Sequence, residues 1–442
     1  MKLFVKTFGC QMNEYDSARM IEGLRLAGWQ PTADMKRADL MLFNSCSIRE
    51  KAVSKLASAL GRAAAVKRKR PGALLAVTGC TAQLQGDWLL KQVPEIDLIV
   101  GPDRYAELVA LVRRAQASQV RATERVEIAQ YDFLEAHPLH GELGASTFVT
   151  IMKGCDNWCA YCVVPAARGP EVSRPAADVV EEVRRVVGAG AREIFLIGQN
   201  VNSYGGVKGG FPTLLEEVAR VEGVARIRFT TSHPKDLGVE LARAMAELPE
   251  VCEWLHLPVQ SGSSRVLQSM RRRYTREAYL EKVALLREHV PDIALTTDII
   301  VGFPGETRAE FDESLSILQA VKYDAIYSFR FSPRPGTRGA ELVDDVELAE
   351  KQERLATLQG LQAELTQERL LAHVGQIREV LVEGPSRRGG GQLAGRTRGN
   401  VMVNFTAPED GPAVGDLVEV AILSAGSHTL EGKLTPPTES SR

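Results

Sequence analysis

The most informative stretch of the sequence is Lys153-Gly154-Cys155-Asp156-Asn157-Trp158-Cys159-Ala160-Tyr161-Cys162. It directly follows a predicted strand and spaces three cysteines as C-x3-C-x2-C. A zinc site would need four ligands in closed tetrahedral geometry, and no fourth cysteine or histidine lies nearby in the sequence. Three thiolates can instead hold an iron–sulfur cube and leave one iron open to a substrate or cofactor. The stretch therefore predicts an iron–sulfur site, and three unrelated buried thiols are the weaker alternative.

Alternating strand and helix patterns surround this stretch. Predicted strands lie at 148–152, 193–197, 226–230, 253–257, 294–300 and 325–331, with helical patterns between them. This alternation favours a parallel α/β arrangement, and six units suit a partial (βα)6 barrel rather than a complete eight-stranded one. We therefore expect a TIM-like core at 141–372 with its active face at the carboxyl ends of the strands. A long helix at 346–372 is expected to pack on that core.

Three strand–cysteine–helix units occupy the N-terminal region, predicted as a domain at 1–117. Apolar runs at 3–5, 40–43 and 74–77 lead to Cys10, Cys46 and Cys80, and each cysteine is followed by a helical pattern. With a fourth run at 97–101, they predict an open parallel α/β sheet. Ligand sites of such sheets lie beyond the carboxyl ends of the strands, so we expect the three cysteines to converge.

The sequence pattern changes on both sides of the central region. Residues 118–140 are polar with weak periodicity and are predicted to be a linker. Residues 373–436 contain short alternating runs separated by glycine-rich turns, which predicts a small five-stranded β-barrel. The tail at 437–442 is expected to be disordered.

Composition limits the classes of function. The chain has 442 residues, of which 44% are hydrophobic and 25% charged, as in ordinary globular domains. The net charge of −2 argues against coating nucleic acid by bulk charge, and no apolar run is long enough for a membrane span. Seven cysteines are too few for a disulfide scaffold and indicate a reducing, cytoplasmic compartment. The first residues are not typical of a signal peptide.

The triplet of Cys155, Cys159 and Cys162 resembles the cluster motif of radical S-adenosylmethionine enzymes. The resemblance implies a [4Fe-4S] cluster whose open iron is chelated by S-adenosylmethionine, and whose electron cleaves that cofactor to a 5′-deoxyadenosyl radical. Such a radical must be shielded from water, which a barrel can do. Contacts with the cofactor are then expected from Tyr161, Gly198, Gln199, Asn200, Gln260, Ser261 and Gly302.

The remaining motifs look like those of the methylthiotransferase family. In that family, cysteines equivalent to Cys10, Cys46 and Cys80 hold a second [4Fe-4S] cluster that carries the sulfur to be inserted. The C-terminal barrel is similar to the TRAM domain, an RNA-binding module. The motifs that look like the tRNA-2-methylthio-N6-dimethylallyladenosine synthase branch are Gly9-Cys10-Gln11-Met12-Asn13, Ser47-Ile48-Arg49-Glu50-Lys51-Ala52 and Val163-Val164-Pro165.

This branch inserts a methylthio group at C2 of N6-isopentenyladenosine at position 37 of tRNA. The resemblance implies that the partners are the tRNA anticodon loop, an electron donor such as flavodoxin or ferredoxin, and a sulfur donor system. We expect no membrane and a monomer. The resemblance leaves a threonylcarbamoyl-adenosine tRNA or a ribosomal-protein aspartate as alternative substrates. A non-catalytic, redox-sensing RNA-binding protein is the alternative from another class.

Several other residues have both a structural and a functional interpretation. Arg168 is predicted to face a phosphate or the substrate base. His233 and His256 are predicted to be satisfied structural residues, and Cys252 a plain buried thiol. The basic runs 67–70 and 271–273 are either solvated faces or part of a phosphate path. Residues 375–406 contain five arginines and two glutamates, a charge of +3 that offers a basic edge to RNA.

Overall fold

The structure is a computed structural model that describes residues 1–47, 50–128, 131–138, 143–408 and 410–435. The tail predicted to be disordered lies outside the described residues. Across the described ranges, no helix is both long enough and apolar enough to cross a bilayer.

The described residues before 129 form one six-stranded parallel sheet with helices on both faces. The strand order is β2-β1-β3-β4-β5-β6. The strands are β1 Lys2–Phe8, β2 Gln30–Pro31, β3 Leu40–Ser45, β4 Leu74–Thr78, β5 Leu98–Val100 and β6 Val120–Ala122. The helices are α1 Gln11–Leu26, α2 Glu50–Lys69, α3 Cys80–Gln92 and α4 Leu108–Ala115. The predicted N-terminal parallel sheet is confirmed.

Burial on both faces explains why the strands of this sheet are continuous apolar runs in the sequence. In β3, Leu40 and Leu42 pack in one hydrophobic layer, and Met41 and Phe43 pack in the layer on the other face. Successive side chains point to opposite faces, so a strand covered by helices on both sides needs apolar residues throughout.

The stretch predicted as a linker differs from that prediction in part. Val120–Ala122 pairs in parallel with Leu98–Val100 and completes the sheet. Further along, the rings of Tyr131 and Phe133 contact each other at 5.0 Å between centroids. Lys153 Nζ lies 3.7 Å from the Tyr131 ring centre. A strand of three residues is too short to give a periodic sequence pattern. The aromatic residues that make these two contacts follow no regular spacing either.

In the described residues from 143 to 331, six strands pair in parallel within two sheets and form an open barrel. Two three-stranded sheets, β7-β10-β11 and β12-β13-β14, are linked by a bridge between Ile227 and Val251. The strands are β7 Ser146–Thr150, β8 Met152–Lys153, β9 Val172–Ser173, β10 Glu193–Ile197, β11 Arg226–Phe229, β12 Trp254–His256, β13 Ala294–Val301 and β14 Ala325–Arg330; β8 and β9 form a separate small ribbon. The helices are α5 Val164–Arg168, α6 Ala176–Gly188, α7 Gly210–Ala219, α8 Val239–Glu247, α9 Ser264–Ser269, α10 Arg276–His289 and α11 Arg308–Val321. The predicted partial (βα)6 barrel is confirmed.

A long helix and a small barrel complete the described chain. Helix α12, Leu348–Leu371, buries Leu358 and Leu365 in the hydrophobic core of the open barrel, as predicted. In residues 377–434, apart from 409, the strands close into a barrel in the order β15-β16-β17-β19-β18. They are β15 Ile377–Pro385, β16 Leu393–Thr397, β17 Met402–Thr406, β18 Leu417–Ala425 and β19 Thr429–Leu434.

The small barrel docks on the amino-terminal ends of the core strands, opposite their carboxyl ends. Arg228 in β11 is fully buried and donates hydrogen bonds to the carbonyl oxygens of Thr397 and Arg398 at 2.6 and 2.7 Å. Arg398 in turn pairs with Glu253 through two 2.7 Å hydrogen bonds. The N-terminal domain packs at the carboxyl ends instead, where Thr150 at the end of β7 contacts Met12 of α1.

Candidate metal centres

The loop that carries Cys155, Cys159 and Cys162 depends on Gly154. Its φ of +77° lies in the left-handed region, and a Cβ there would be 1.8 Å from the carbonyl oxygen of Pro170. A side chain therefore fits neither the backbone conformation nor the space. The backbone N–H of Cys155 then donates to the carbonyl oxygen of Gly169 at 3.2 Å and fixes the start of the loop.

The three sulfurs of this loop interact electrostatically, and each has a donor nearby. Cys155 Sγ accepts from Asn157 Nδ2 at 3.4 Å, and Cys162 Sγ accepts from the backbone of Val164 at 3.5 Å. Burial raises the pKa of Cys155, and burial and Cys159 raise the pKa of Cys162 to about 12. Cys155 and Cys162 therefore keep their protons until a metal displaces them.

The predicted convergence of Cys10, Cys46 and Cys80 is present in the fold. They follow β1, β3 and β4. The Cys46 N–H donates to the carbonyl oxygen of Phe8 at 2.9 Å at the end of β1, and Asn44 of β3 pairs with Thr78 of β4. A hydrogen bond from Cys46 lowers the pKa of Cys10 to about 6, although burial opposes it and Arg168 adds to it. Burial raises the pKa of Cys80.

Two glycines beside these cysteines, Gly9 and Gly79, lie where there is no room for a side chain. A Cβ on Gly9 would lie 2.6 Å from Cys46 Cβ. Gly79 has a φ of +97°, and its Cβ would lie 2.5 Å from Asn44 Oδ1. The glycines of the motifs are thus explained by close packing at the sheet edge.

Arg168 lies beside this second triplet, which differs from its predicted role facing a phosphate or base. Its guanidinium is buried and forms a 2.6 Å ion pair with Asp16 in α1. Burial raises the pKa of Cys80, and the positive charge of Arg168 opposes that larger effect. Asp16 was not singled out in the sequence. A carboxylate in α1 and an arginine in α5 become partners only when the two domains pack together.

The auxiliary triplet borders an aromatic region of the core through Cys10. Phe148 and Phe195 project into the open barrel and pack in one cluster with Met12, Tyr15 and Cys10. The ring of Phe195 also contacts those of Phe148 and Trp254, at centroid distances of 5.7 and 5.8 Å. The strand alternation of β10, with Ile194 and Leu196 packed outward in the core and Phe195 inward, is the sequence signal for this lining.

The residues predicted to contact S-adenosylmethionine lie at the carboxyl ends of the core strands. Gln199 Oε1 accepts from the Gly154 N–H, which joins the second strand to the cysteine loop. Gln199 Nε2 is buried and has no hydrogen-bond partner among the described residues. Gly198 is tightly packed, since a Cβ there would be 2.5 Å from Met152 Cγ. A buried donor without a partner fits a bound cofactor.

Other predicted contacts are engaged within the protein. Asn200 bonds Asp236 and the His233 backbone at 2.9 and 3.1 Å. Ser261 Oγ accepts from Ser263 at 3.2 Å. Three further residues shape loops: Gln260 has a φ of +73°, the Gly302 N–H donates to Glu306, and Tyr161 packs beside the cluster of Phe303 and Phe331.

The structural interpretations of the histidines and Cys252 agree with the contacts. His233 is buried, its Nδ1 accepts from the Lys235 N–H at 3.2 Å, and burial lowers its pKa to about 2. His256 lies 3.0 Å from Thr296 Oγ1. Cys252 is a buried free thiol.

Three of the four residues of the first basic run, and three arginines of the small barrel, form ion pairs. Arginines of the small barrel pair with carboxylates in Arg388–Glu431, Arg396–Glu383 and Arg398–Glu253. In the first run, the pairs are Lys67–Asp97, Arg68–Glu95 and Arg70–Asp39. In the second run, Arg271 and Arg273 are exposed, but Arg272 is buried and donates to Cys159 Sγ at 3.4 Å. No sequence pattern predicted that contact.

Each triplet fits an iron–sulfur cluster by its donor chemistry. Both offer three sulfur donors at a loop or sheet edge where glycines permit close approach. Among the described residues, no three His, Cys, Asp or Glu side chains are grouped as ligands of a single metal ion.

Comparison with known proteins gives three matched regions. Residues 2–101 match an uncharacterized protein family, UPF0004; residues 149–318 match the radical SAM superfamily; and residues 372–435 match the TRAM domain. Among solved structures, the radical S-adenosylmethionine methyltransferase TsrM from Kitasatospora setae shares the fold with a TM-score of 0.60, 16% identity and coverage of 76% of both chains. The radical enzyme OxsB gives a TM-score of 0.51 at 10% identity, over 80% of this chain and 56% of that one.

Curated relatives are similar over nearly the whole chain. The identity is 45% to a protein of Syntrophobacter fumaroxidans, 47% to one of Geobacter metallireducens and 46% to one of Geobacter sulfurreducens. The alignments cover 98% of this chain and 95%, 98% and 97% of those proteins. All three relatives are named tRNA-2-methylthio-N(6)-dimethylallyladenosine synthase.

Proposed function

The chain belongs to the family of tRNA-2-methylthio-N(6)-dimethylallyladenosine synthases, and from this premise we propose that it inserts a methylthio group at C2 of N6-isopentenyladenosine-37 in tRNA. The observation that carries the proposal is similarity over 98% of the chain together with two cysteine triplets. The enzyme uses S-adenosylmethionine and two [4Fe-4S] clusters, which supply the radical and the sulfur when bound.

We assign the two clusters to the two triplets. Cys155, Cys159 and Cys162 would hold the radical cluster, and Cys10, Cys46 and Cys80 would hold the auxiliary cluster. Support comes from the soft donor sets and from the Arg168–Asp16 pair that joins the two domains beside Cys80. The cofactor would contact Gln199 Nε2, which has no hydrogen-bond partner among the described residues. The surrounding contacts would come from Tyr161, Gly198, Asn200, Gln260, Ser261 and Gly302.

The aromatic lining of the barrel interior is suited to a substrate base that carries an apolar group. Phe148, Phe195 and Trp254 form a continuous aromatic lining that begins beside Cys10. A dimethylallyl group placed there keeps apolar contacts and excludes water from the reacting carbon. A threonylcarbamoyl group would place a carboxylate and a hydroxyl against the same rings. These two polar groups would lose their hydration, which is unfavourable. The lining therefore favours the isopentenyl substrate.

The remaining assignments concern domains and partners. We propose functional units at 1–117, 141–372 and 373–436, with the sheet of the first extending to Ala122 in the structure. The TRAM domain supports tRNA as the partner. We further propose a flavodoxin- or ferredoxin-type electron donor, a separate sulfur donor system, a monomeric state and action in the cytoplasm.

Nucleoside analysis of tRNA tests the function. Deletion of the gene should remove 2-methylthio-N6-isopentenyladenosine and leave N6-isopentenyladenosine, measured by mass spectrometry. The wild-type gene should restore the modification, and a copy with Cys155→Ala should not. Persistence of the modified nucleoside in the deletion strain, or loss of a methylthiolated threonylcarbamoyl nucleoside instead, would refute the assignment.

A further inference from the structure

Among the described residues, one buried arginine, Arg272, differs from the other buried arginines in its partners. Seven arginines are buried in the described part of the chain. Six of them pair with carboxylates in Arg19–Glu22, Arg168–Asp16, Arg174–Glu182, Arg226–Glu379, Arg228–Glu193 and Arg354–Glu306. For Arg272, the described residues provide no carboxylate partner.

The contacts of Arg272 are neutral groups and one thiol. Its Nη2 donates to the carbonyl oxygen of Pro258 at 2.9 Å, its Nε to Tyr274 Oη at 2.9 Å, and its Nη1 to Cys159 Sγ at 3.4 Å. The residue is only 4% exposed. A buried cation without a counter-charge is destabilising, so the fold implies a negative partner next to the guanidinium.

Cys159 indicates what that partner is. Three thiolates around a [4Fe-4S] core give a negatively charged group, and Arg272 is already hydrogen-bonded to one of the sulfurs. We propose that Arg272 is the counter-charge of the cluster on Cys155, Cys159 and Cys162 and makes that cluster easier to reduce. When a low-potential one-electron donor reduces the cluster, the cluster gains one negative charge, and the adjacent guanidinium stabilises this state.

The auxiliary triplet provides an internal contrast. The charge of Arg168 also acts on a cysteine of its triplet, Cys80, but Asp16 neutralises that charge in an ion pair of 2.6 Å. The same side-chain type thus carries a net positive charge at one triplet and almost none at the other. This difference in charge would favour reduction of the cluster on the Cys159 triplet over reduction of the auxiliary cluster. The inference rests on the proposed function, which supplies both clusters.

The test separates the charge of Arg272 from its role in bracing the loop. Arg272→Gln keeps hydrogen bonding without charge, and Arg272→Lys keeps the charge. Arg271→Gln and Arg273→Gln are matched controls, since both arginines are exposed and lie one residue away. All variants are made in the full-length chain with the auxiliary cysteines changed to alanine, reconstituted anaerobically and titrated without tRNA, with the reduced cluster detected by electron paramagnetic resonance.

We expect Arg272→Gln to lower the reduced-to-oxidised ratio at a fixed potential by about tenfold, which is about 59 mV for one electron. Arg272→Lys and both controls should stay close to the unsubstituted protein, with unchanged iron content. An unshifted potential in Arg272→Gln, or equal shifts or equal cluster loss in the Gln and Lys variants, would assign Arg272 to bracing alone. Because no tRNA is present, the potential can shift even if the substrate assignment fails, and the methylthiolated nucleoside can form even if the potential does not shift.

Discussion

The docking of the small barrel on the core depends on Arg228, and its replacement gives the sharpest stability prediction. The Arg228 side chain is fully buried, and its Nε lies 2.7 Å from Glu193, whose side chain is 2% exposed. Two further hydrogen bonds, to the carbonyl oxygens of Thr397 and Arg398, cross to the small barrel. Arg228→Met removes all three bonds and leaves the Glu193 carboxylate buried without a partner.

The magnitude follows from these contacts. Removing one partner of a buried ion pair costs about 3–5 kcal/mol, and the two lost carbonyl bonds place Arg228→Met at the upper end of that range. Arg228→Met with Glu193→Leu also removes the unpaired carboxylate, so the double variant should be at least about 2 kcal/mol more stable than the single one. Arg220→Met is the control, because its ion pair with Glu216 is exposed and is worth about 0–1 kcal/mol.

Urea unfolding followed by circular dichroism measures these free energies of unfolding. Limited proteolysis after α12 should release the small barrel faster from Arg228→Met than from the control. The reasoning is refuted if Arg228→Met loses less than about 1 kcal/mol, or if the double variant is no more stable than the single one.

Three other outcomes can be checked directly. Gly154→Ala should lose about half of the bound iron on anaerobic reconstitution, because neither the positive φ nor the space admits a Cβ; Gly23→Ala, which meets nothing within 4 Å, should keep all of it. Phe195→Ala should reduce the preference for an isopentenylated over an unmodified anticodon stem-loop by about fivefold in binding assays, since about 1 kcal/mol of apolar contact is lost; an unchanged ratio would argue against the aromatic lining. Arg265 lowers the pKa of Glu310 to about 2 from an ordinary 4.5. The ionised Glu310 therefore stabilises the folded protein fully above about pH 4.5, and this stabilisation is lost as the pH falls toward 2. The fall in Tm between about pH 5 and pH 3 should therefore be smaller in Glu310→Gln, and an equal fall would contradict the assignment.

The sequence alone predicted the features that depend on residues close together in the chain. The spacing of Cys155, Cys159 and Cys162 lies within eight residues, and Cys10, Cys46 and Cys80 each follow an apolar run directly. Parallel strands end at one edge, so strand order in the chain was enough to predict that distant cysteines meet. The helix and strand periods similarly predicted the open barrel and α12.

Charged residues were interpreted least well, because their partners are remote in sequence. The +3 of residues 375–406 suggested a basic edge, yet Arg398 is held by Glu253 of the core and Arg388 by Glu431. A charge count cannot distinguish a free arginine from one that a distant carboxylate neutralises. The strand Val120–Ala122 was missed for a similar reason, since three residues become a strand only beside Leu98–Val100.

The sequence by itself therefore determined the chemistry of the two triplets and the order of the strands, since both depend on spacing along the chain. The tertiary structure alone decided the electrostatics around them. Arg168 meets Asp16 across 152 residues, and Arg272 meets Cys159 across 113. Such pairs form when separate domains and loops pack, and their energies depend on burial, which no local pattern encodes.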